Sequence, residues 1–252
     1  MTRPTAIITG GSRGIGAAMA DKLGELGYNV VLDYHSDSSK GKAEAVAKSL
    51  EGKYGVETLV VQSDVSQYDD CVHLVQATVD KFGDQIDCLV NNAGITNNSN
   101  WIDIKPEAYE RVIAINLMSA LHMTHLVLPY MVNHSDKDHQ CNIVSTTSVG
   151  GLTGVINQAD YCASKSGLIG LTRGLALGYA GKGIRVNAIA PGMIMTDMLR
   201  GVNQDELKAL SATIPQGYIG DVSDIAGALG YLLTVSYVTG QVLSPNGGFV
   251  LS

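Results

Sequence analysis

Closely spaced cysteines are what this sequence most plainly lacks. Its four cysteines, Cys71, Cys88, Cys141 and Cys162, form no CxxC pair and show no short-range metal spacing. In a chain of this length they read as reduced thiols of a cytoplasmic protein. Basic charge is also scarce. Seventeen lysines and arginines stand against 24 acidic residues, a formal charge of −7. A nucleic-acid partner needs a concentrated basic face and is disfavoured, and the same balance argues against an acidic partner. No window approaches 18 uninterrupted apolar residues, so no membrane span is expected. The opening MTRPTAIITGG has no apolar stretch of signal-peptide length. Six prolines and no G-X-Y period exclude a collagen-like chain.

Glycine, by contrast, is abundant: 29 of 252 residues, about 11.5% against an average of roughly 7%. Those glycines must serve particular turns, because 45% hydrophobic residues and a mean hydropathy of +0.12 are enough to build a core. Short apolar blocks alternate with longer amphipathic stretches. The spacing predicts strands at Thr5–Thr9, Asn29–Asp33, Glu57–Val61, Asp87–Val90, Cys141–Ser145, Ile184–Ile189 and near Gln241–Ser244. Helices are predicted at Ile15–Leu26, Lys40–Lys53, Asp69–Phe82, Pro106–Met131, Ala159–Ala180 and Val222–Leu233. Runs such as YNVVLD and ETLVVQ are continuous rather than alternating, as in strands covered on both faces of a parallel sheet. The expectation is one α/β domain over 1–252, doubly wound, with about seven strands and helices on both faces. Asn133–Gln140 is the best loop, and Gly192–Pro215 the longest stretch without an assigned element.

The first strand runs into Thr9-Gly10-Gly11-Ser12-Arg13-Gly14-Ile15-Gly16, and a helix follows. A glycine turn at that place lets backbone approach a pyrophosphate, which then sits on the helix N-terminus. The spacing is TGxxxGxG rather than GxGxxG, and an ordinary turn can carry the same letters. Further along, Tyr161-Cys162-Ala163-Ser164-Lys165 places a phenol and an ammonium four residues apart, on one face of a helix. Ser148 lies thirteen residues upstream, at the end of the strand IVSTTS, where parallel sheets keep their ligand crevice. Its hydroxyl can bond a substrate oxygen on which charge develops. YxxxK alone would be an ordinary helix. It carries weight because it follows the glycine turn in chain order.

Together with Asp64-Val65, Asn91-Asn92-Ala93-Gly94, Asn116 and Pro191-Gly192 with Thr196, these residues resemble the short-chain dehydrogenase/reductase superfamily across essentially the whole chain. The resemblance implies a Rossmann-like fold and a hydride exchanged with a nicotinamide coenzyme. It implies a phosphate turn of Gly10, Ser12, Arg13, Gly14, Ile15 and Gly16. Asp64 and Val65 would meet the adenine, and Asn91, Asn92, Ala93 and Gly94 would line the coenzyme. Pro191, Gly192, Ile194 and Thr196 would hold the carboxamide. Tyr161 would be the general acid and Ser148 would orient the carbonyl. Lys165 would bond the ribose and lower the Tyr161 pKa, and Asn116 would hold a proton-relaying water. A 222-symmetric homotetramer is implied as well.

Coenzyme choice turns on the end of the second strand. The slot that is acidic in NAD-using relatives holds Tyr34, and Arg13 matches the basic residue of many NADP-using ones, with His35 and Ser36 as added donors. NADP(H) is expected over NAD(H), although Asp33 and Asp37 flank the site. NNAGIT, QADYCASK and TGQVLSPNGG look most like 3-oxoacyl-acyl-carrier-protein reductases. The expected substrate is a small molecule or thioester, most simply a 3-oxoacyl thioester. A hydroxysteroid, sugar or small-alcohol dehydrogenase is the alternative, and a catalytically silent dinucleotide-binding scaffold is the non-enzyme reading. Two arginine slots that dock the carrier protein hold Pro129 and Leu177, so that partner is doubtful. Substrate choice is expected from Thr96–Trp101 and from a lid at about 193–215 containing Leu199, Leu207, Leu210 and Ile214. His122 and His125 lack further ligands, and no metal is expected.

Overall fold

The apolar blocks form β1 (Thr5–Ile8), β2 (Asn29–Tyr34), β3 (Thr58–Gln62), β4 (Cys88–Asn91), β5 (Cys141–Thr146), β6 (Ile184–Ile189) and β7 (Val242–Leu243). The computed structural model describes residues 3–196 and 203–251. All strand pairs are parallel, in the order β3-β2-β1-β4-β5-β6-β7. Adjacent residues of each strand serve opposite cores. Ile8, Leu32, Val90 and Val144 enter one cluster, with Met19, Leu23 and Leu229. Ile7, Val31, Leu89 and Ile143 enter the other, with Leu74, Met123 and Val127. Because side chains alternate across a pleated strand, a two-faced sheet demands the unbroken apolar runs seen in the sequence.

The first cluster is covered by α1 (Gly14–Glu25), α2 (Asp37–Tyr54) and α9 (Val222–Thr234). The second is covered by α3 (Tyr68–Phe82) and α5 (Ser119–His134). Helix ends follow local chemistry. Ser36 and Ser39 close a capping box before α2, and Gly55 ends it in the left-handed conformation. The order of strands reverses between β1 and β4, which opens a crevice above their carboxyl ends.

Three features depart from expectation. The predicted helix Pro106–Met131 is α4 (Pro106–Ile113), a π-helical turn at Ala114–Met118 and α5, continuous to His134. By length and hydropathy this 29-residue run could cross a membrane, although half of its most apolar window is buried. Its interruption by single polar residues hid it from a search for unbroken apolar runs, and Met123, Val127 and Met131 direct its apolar face into the domain. Short α6 (Gly150–Thr153) precedes α7 (Ala159–Tyr179) and went unpredicted. The expected lid contains α8 (Gln204–Ala212), capped by Asn203 accepting from the Glu206 N–H at 2.9 Å. Leu207 and Leu210 are half-buried there and Ile214 is buried, while Leu199 lies outside the described residues.

Candidate active site

The site grows from β1. Thr9 Oγ1 accepts the backbone N–H groups of Asn92 (2.9 Å) and Ala93 (3.0 Å), tying the end of β4 to the start of the glycine turn. Asn92 Nδ2 donates to the carbonyls of Thr9 (3.0 Å) and Gly10 (3.2 Å). Gly10 and Gly14 adopt positive φ. A Cβ on Gly16 would come within 2.1 Å of the Gly10 carbonyl oxygen, so only glycine lets the helix start this close to the strand. Ser12 is half-buried on this turn and Arg13 is exposed at the N-cap of α1. Ile15 packs beside the first core cluster.

Asp33 supports the turn from below. Its Oδ1 accepts the Gly10 N–H and its Oδ2 accepts the Ser63 hydroxyl at 3.1 Å. Burial pushes its carboxyl up to about 7, against those two hydrogen bonds. Tyr34 is buried at the end of β2, and His35 is exposed 3.9 Å from Asp64. Asp64 Oδ1 accepts the Ser66 hydroxyl (2.6 Å) and N–H (3.1 Å). Burial works to raise the Asp64 pKa, but the Ser66 bonds, with His35 and Arg111, outweigh it and hold the pKa low. The Val65 side chain lies in the second core cluster rather than beside an adenine position, which leaves its backbone for that contact. Ile194 likewise sends its side chain into the first cluster.

Tyr161, Ser148 and Lys165 meet above β5. A Cβ built on Gly150 would lie 3.5 Å from both Ser148 Oγ and a Tyr161 ring carbon. Burial raises the Tyr161 pKa, and the neighbouring Ser148 hydroxyl opposes it. The expected lowering by Lys165 does not appear. Its Nζ lies 5.6 Å from the Tyr161 ring centroid and donates to the Thr146 carbonyl at 2.7 Å. Burial holds the ammonium down at about 8. Thr147 Oγ1 fixes the Lys165 carbonyl at 2.7 Å. The Asn116 side chain is committed to the backbone of Ile95, accepting its N–H at 2.8 Å and donating to its carbonyl at 2.9 Å, and it donates to Ser164 Oγ at 3.1 Å. That leaves its backbone for any water. Asn116 sits on the π-helical turn, an irregularity that concentrates at functional sites.

These groups fit a nicotinamide dinucleotide. A Cβ on Gly14 would meet only Thr196 Cγ2, at 3.9 Å, so the Pro191–Thr196 loop faces an open backbone turn. Pro191 is buried and accepts the Val149 N–H at 3.1 Å, and Gly192 packs against Asn246. At the other end, a Cβ on Gly94 would lie 3.4 Å from both Lys165 Nζ and Asn116 Oδ1. The ammonium thus looks across a glycine with donors to spare. A separate cavity of about 430 Å³, between Met193, Tyr218 and Asn246, includes none of the Ser148, Tyr161 and Lys165 set. His122 and His125 pack on the Tyr68 ring at 5.3 and 6.5 Å between centroids. Sequence reasoning missed the bracing roles of Thr9, Asp33, Thr146 and Thr147, which only the strand order explains.

A parallel doubly wound sheet with a glycine turn at β1 and a Ser–Tyr–Lys cluster at β5 defines an oxidoreductase of the dinucleotide-binding class. The sequence model described as short chain dehydrogenase matches residues 4–207, and the chain belongs to that family. It is 37% identical to a 3-oxoacyl-acyl-carrier-protein reductase, FabG, of Staphylococcus epidermidis over 98% of this chain and 99% of that one. Its identity to the corresponding reductase of Synechocystis is 37%, over 100% of this chain and 98% of the relative. Among solved structures it is similar to a blue fluorescent protein from a metagenomic library in complex with NADPH. That match has a TM-score of 0.90 and 33% identity, and covers 99% of each chain.

Proposed function

We propose that the protein reduces the ketone of a 3-oxoacyl thioester to a secondary alcohol at the expense of NADPH. The observation that carries this reading is the convergence of Ser148, Tyr161 and Lys165 on one cleft beside the glycine turn. A bound nicotinamide supplies the hydride. Ser148 donates a hydrogen bond to the carbonyl oxygen, and the Tyr161 phenol gives up its proton to that oxygen as charge develops. Lys165 holds the ribose with the ammonium hydrogens that its bond to the Thr146 carbonyl leaves over. Gly10 to Gly16 receive the pyrophosphate, and Asp64 with the Val65 backbone receives the adenine.

NADPH is favoured because Arg13 is exposed at the turn and Tyr34 is neutral, while Asp33 is occupied beneath the Gly10 N–H. The carboxylate closest in sequence to the 2′-position therefore turns its oxygens to Gly10 and Ser63 rather than outward to a phosphate. The solved relative bound to NADPH supports the same choice. Substrate class rests on the FabG relatives and on an apolar mouth. Trp101 is 55% exposed and Ile156 87%. The Ser99 N–H donates to the Asn157 carbonyl at 3.0 Å, drawing those two loops together. Pro129 and Leu177 are exposed on α5 and α7, where the family's carrier-docking arginines would stand. A CoA-linked group is therefore favoured over a carrier-linked one.

NADPH oxidation with acetoacetyl-CoA, carrier-linked acetoacetate and a ketone panel tests the reading. Tyr161→Phe should lower kcat on the order of 10²–10⁴-fold while NADPH binding persists. Full activity in that variant overturns the mechanism, and a strong preference for the carrier-linked form overturns the reading of Pro129 and Leu177.

A further inference from the structure

The amino ends of the central strands β4 and β5 carry a cluster unrelated to the coenzyme cleft. Asp87 precedes β4, Cys141 begins β5, His134 ends α5, and His139 lies in the loop between α5 and β5. One ligand atom from each of these four residues lies within 4.8 Å of the others. We propose that Asp87, His134, His139 and Cys141 form a tetrahedral site for a divalent ion of the zinc class.

The geometry already approaches that of a coordination shell. His134 Nε2 lies 3.3 Å from Asp87 Oδ1 and 3.4 Å from Cys141 Sγ, and His139 Nε2 lies 2.8 Å from the same Oδ1. A tetrahedral zinc with bonds of about 2.0–2.3 Å sets its ligand atoms roughly 3.3–3.8 Å apart, so the two pairs on His134 Nε2 already match, the His139–Asp87 pair must open slightly, and any pair near the 4.8 Å limit must close. Hydrogen bonding further fixes the donors. His134 Nδ1 lies 2.8 Å from the Tyr130 carbonyl, which can only accept, so Nδ1 carries the proton. In a ring protonated on Nδ1 alone, the Nε2 lone pair faces both the Asp87 carboxylate oxygen and the Cys141 sulfur. Acceptor facing acceptor is unfavourable unless a cation or a second proton stands between them. Asp87 is oriented in turn, because its Oδ2 accepts the Thr5 N–H at 2.7 Å. Such outer hydrogen bonds are how proteins aim metal ligands.

The loop bringing His139 back is itself braced. Asp136 Oδ1 accepts the N–H groups of Asp138 and His139, both at 2.7 Å, and the Ser135 hydroxyl donates to the Lys182 carbonyl at 2.7 Å. Gly183 lies so close that a Cβ there would come within 2.1 Å of the Asp136 carbonyl oxygen. Charge balances as well. A dication with one carboxylate, one thiolate and two neutral imidazoles is neutral, which a site this buried requires. Asp87 and Cys141 are buried, whereas the His139 side chain is 54% exposed and gives an ion its way in. As an ion binds, the Cys141 thiol gives its proton to solvent and ligates as the thiolate. The chemistry favours borderline ions that accept nitrogen and sulfur, Zn²⁺ or Co²⁺, over Mg²⁺ or Ca²⁺.

The test is Co²⁺ titration of the full chain after chelator treatment. One equivalent should produce a thiolate-to-cobalt charge-transfer band with tetrahedral visible bands, and Zn²⁺ should bleach both. Cys141→Ser should abolish the charge-transfer band, and His139→Ala, at an exposed position, should weaken Co²⁺ binding at least tenfold. X-ray absorption of the zinc-loaded wild type should show one sulfur among nitrogen and oxygen neighbours, a readout independent of how the variants fold. Absence of the band in the wild type, a band that survives both substitutions, or a shell without sulfur overturns the site.

Discussion

Lys165 shows how one buried side chain joins catalysis to pH. Its ammonium is held at about 8 by burial, below the roughly 10.4 of an exposed lysine. The fold therefore loses this proton before the unfolded chain does, and stability rises with pH between those values. Catalysis moves the other way. The carbonyl-reduction rate should fall above pH about 8 as the ammonium is lost, and Lys165→Arg should move that fall to higher pH. Profiles of kcat against pH for the two proteins check this. Asp33 is the converse case. An unfolded aspartate titrates near about 3.9, whereas Asp33 is raised to about 7. The fold binds that proton more tightly, so the contribution is present at low pH and is lost as pH rises toward 7. Asp33→Asn keeps an acceptor for Gly10 and carries no charge. Its stability relative to the wild type should grow across that window in urea unfolding at about pH 5 and pH 8.

At the scale of elements, Arg185 on β6 clamps the end of α9. It is buried, and it donates to the carbonyls of Leu232 (2.6 Å), Leu233 (3.1 Å) and Val238 (3.2 Å) and to Gln140 Oε1 (2.9 Å). A cation at a helix C-terminus satisfies carbonyls that have no partner within the helix. Arg185→Leu should cost about 3 kcal/mol, since several buried acceptors lose their donor together; the urea midpoint measures it. The strands and most helices were legible because a two-faced parallel sheet writes itself as unbroken apolar runs. α8 was not, because Leu207 and Leu210 are only half-buried and no strong periodicity marks them. The site was half legible. Tyr161 and Lys165 announce themselves by spacing, whereas Thr9 and Asn92 meet only because β1 pairs with β4.

The whole molecule presents apolar surface outside its cleft. Met118 and Leu121 on the long helix are each 37% exposed, and Tyr237 and Leu251 near the C-terminus are almost fully exposed. Met118 and Leu121, three residues apart, share one face of that helix, where a second chain can pack. The protein should elute as a tetramer in size-exclusion chromatography with light scattering, and Leu121→Asp should shift it toward smaller species. By itself the sequence determined the alternation of strand and helix, the glycine turn and the Ser–Tyr–Lys order. Each of these depends on local backbone geometry, on short-range spacing or on the order of motifs along the chain. Only the tertiary structure decided that Asp33 braces the turn instead of facing the 2′-position, and that burial lowers the pKa of Lys165. It alone drew Asp87 to His134, His139 and Cys141. Those outcomes depend on desolvation and on approach across strands distant in the chain, which no local spacing encodes.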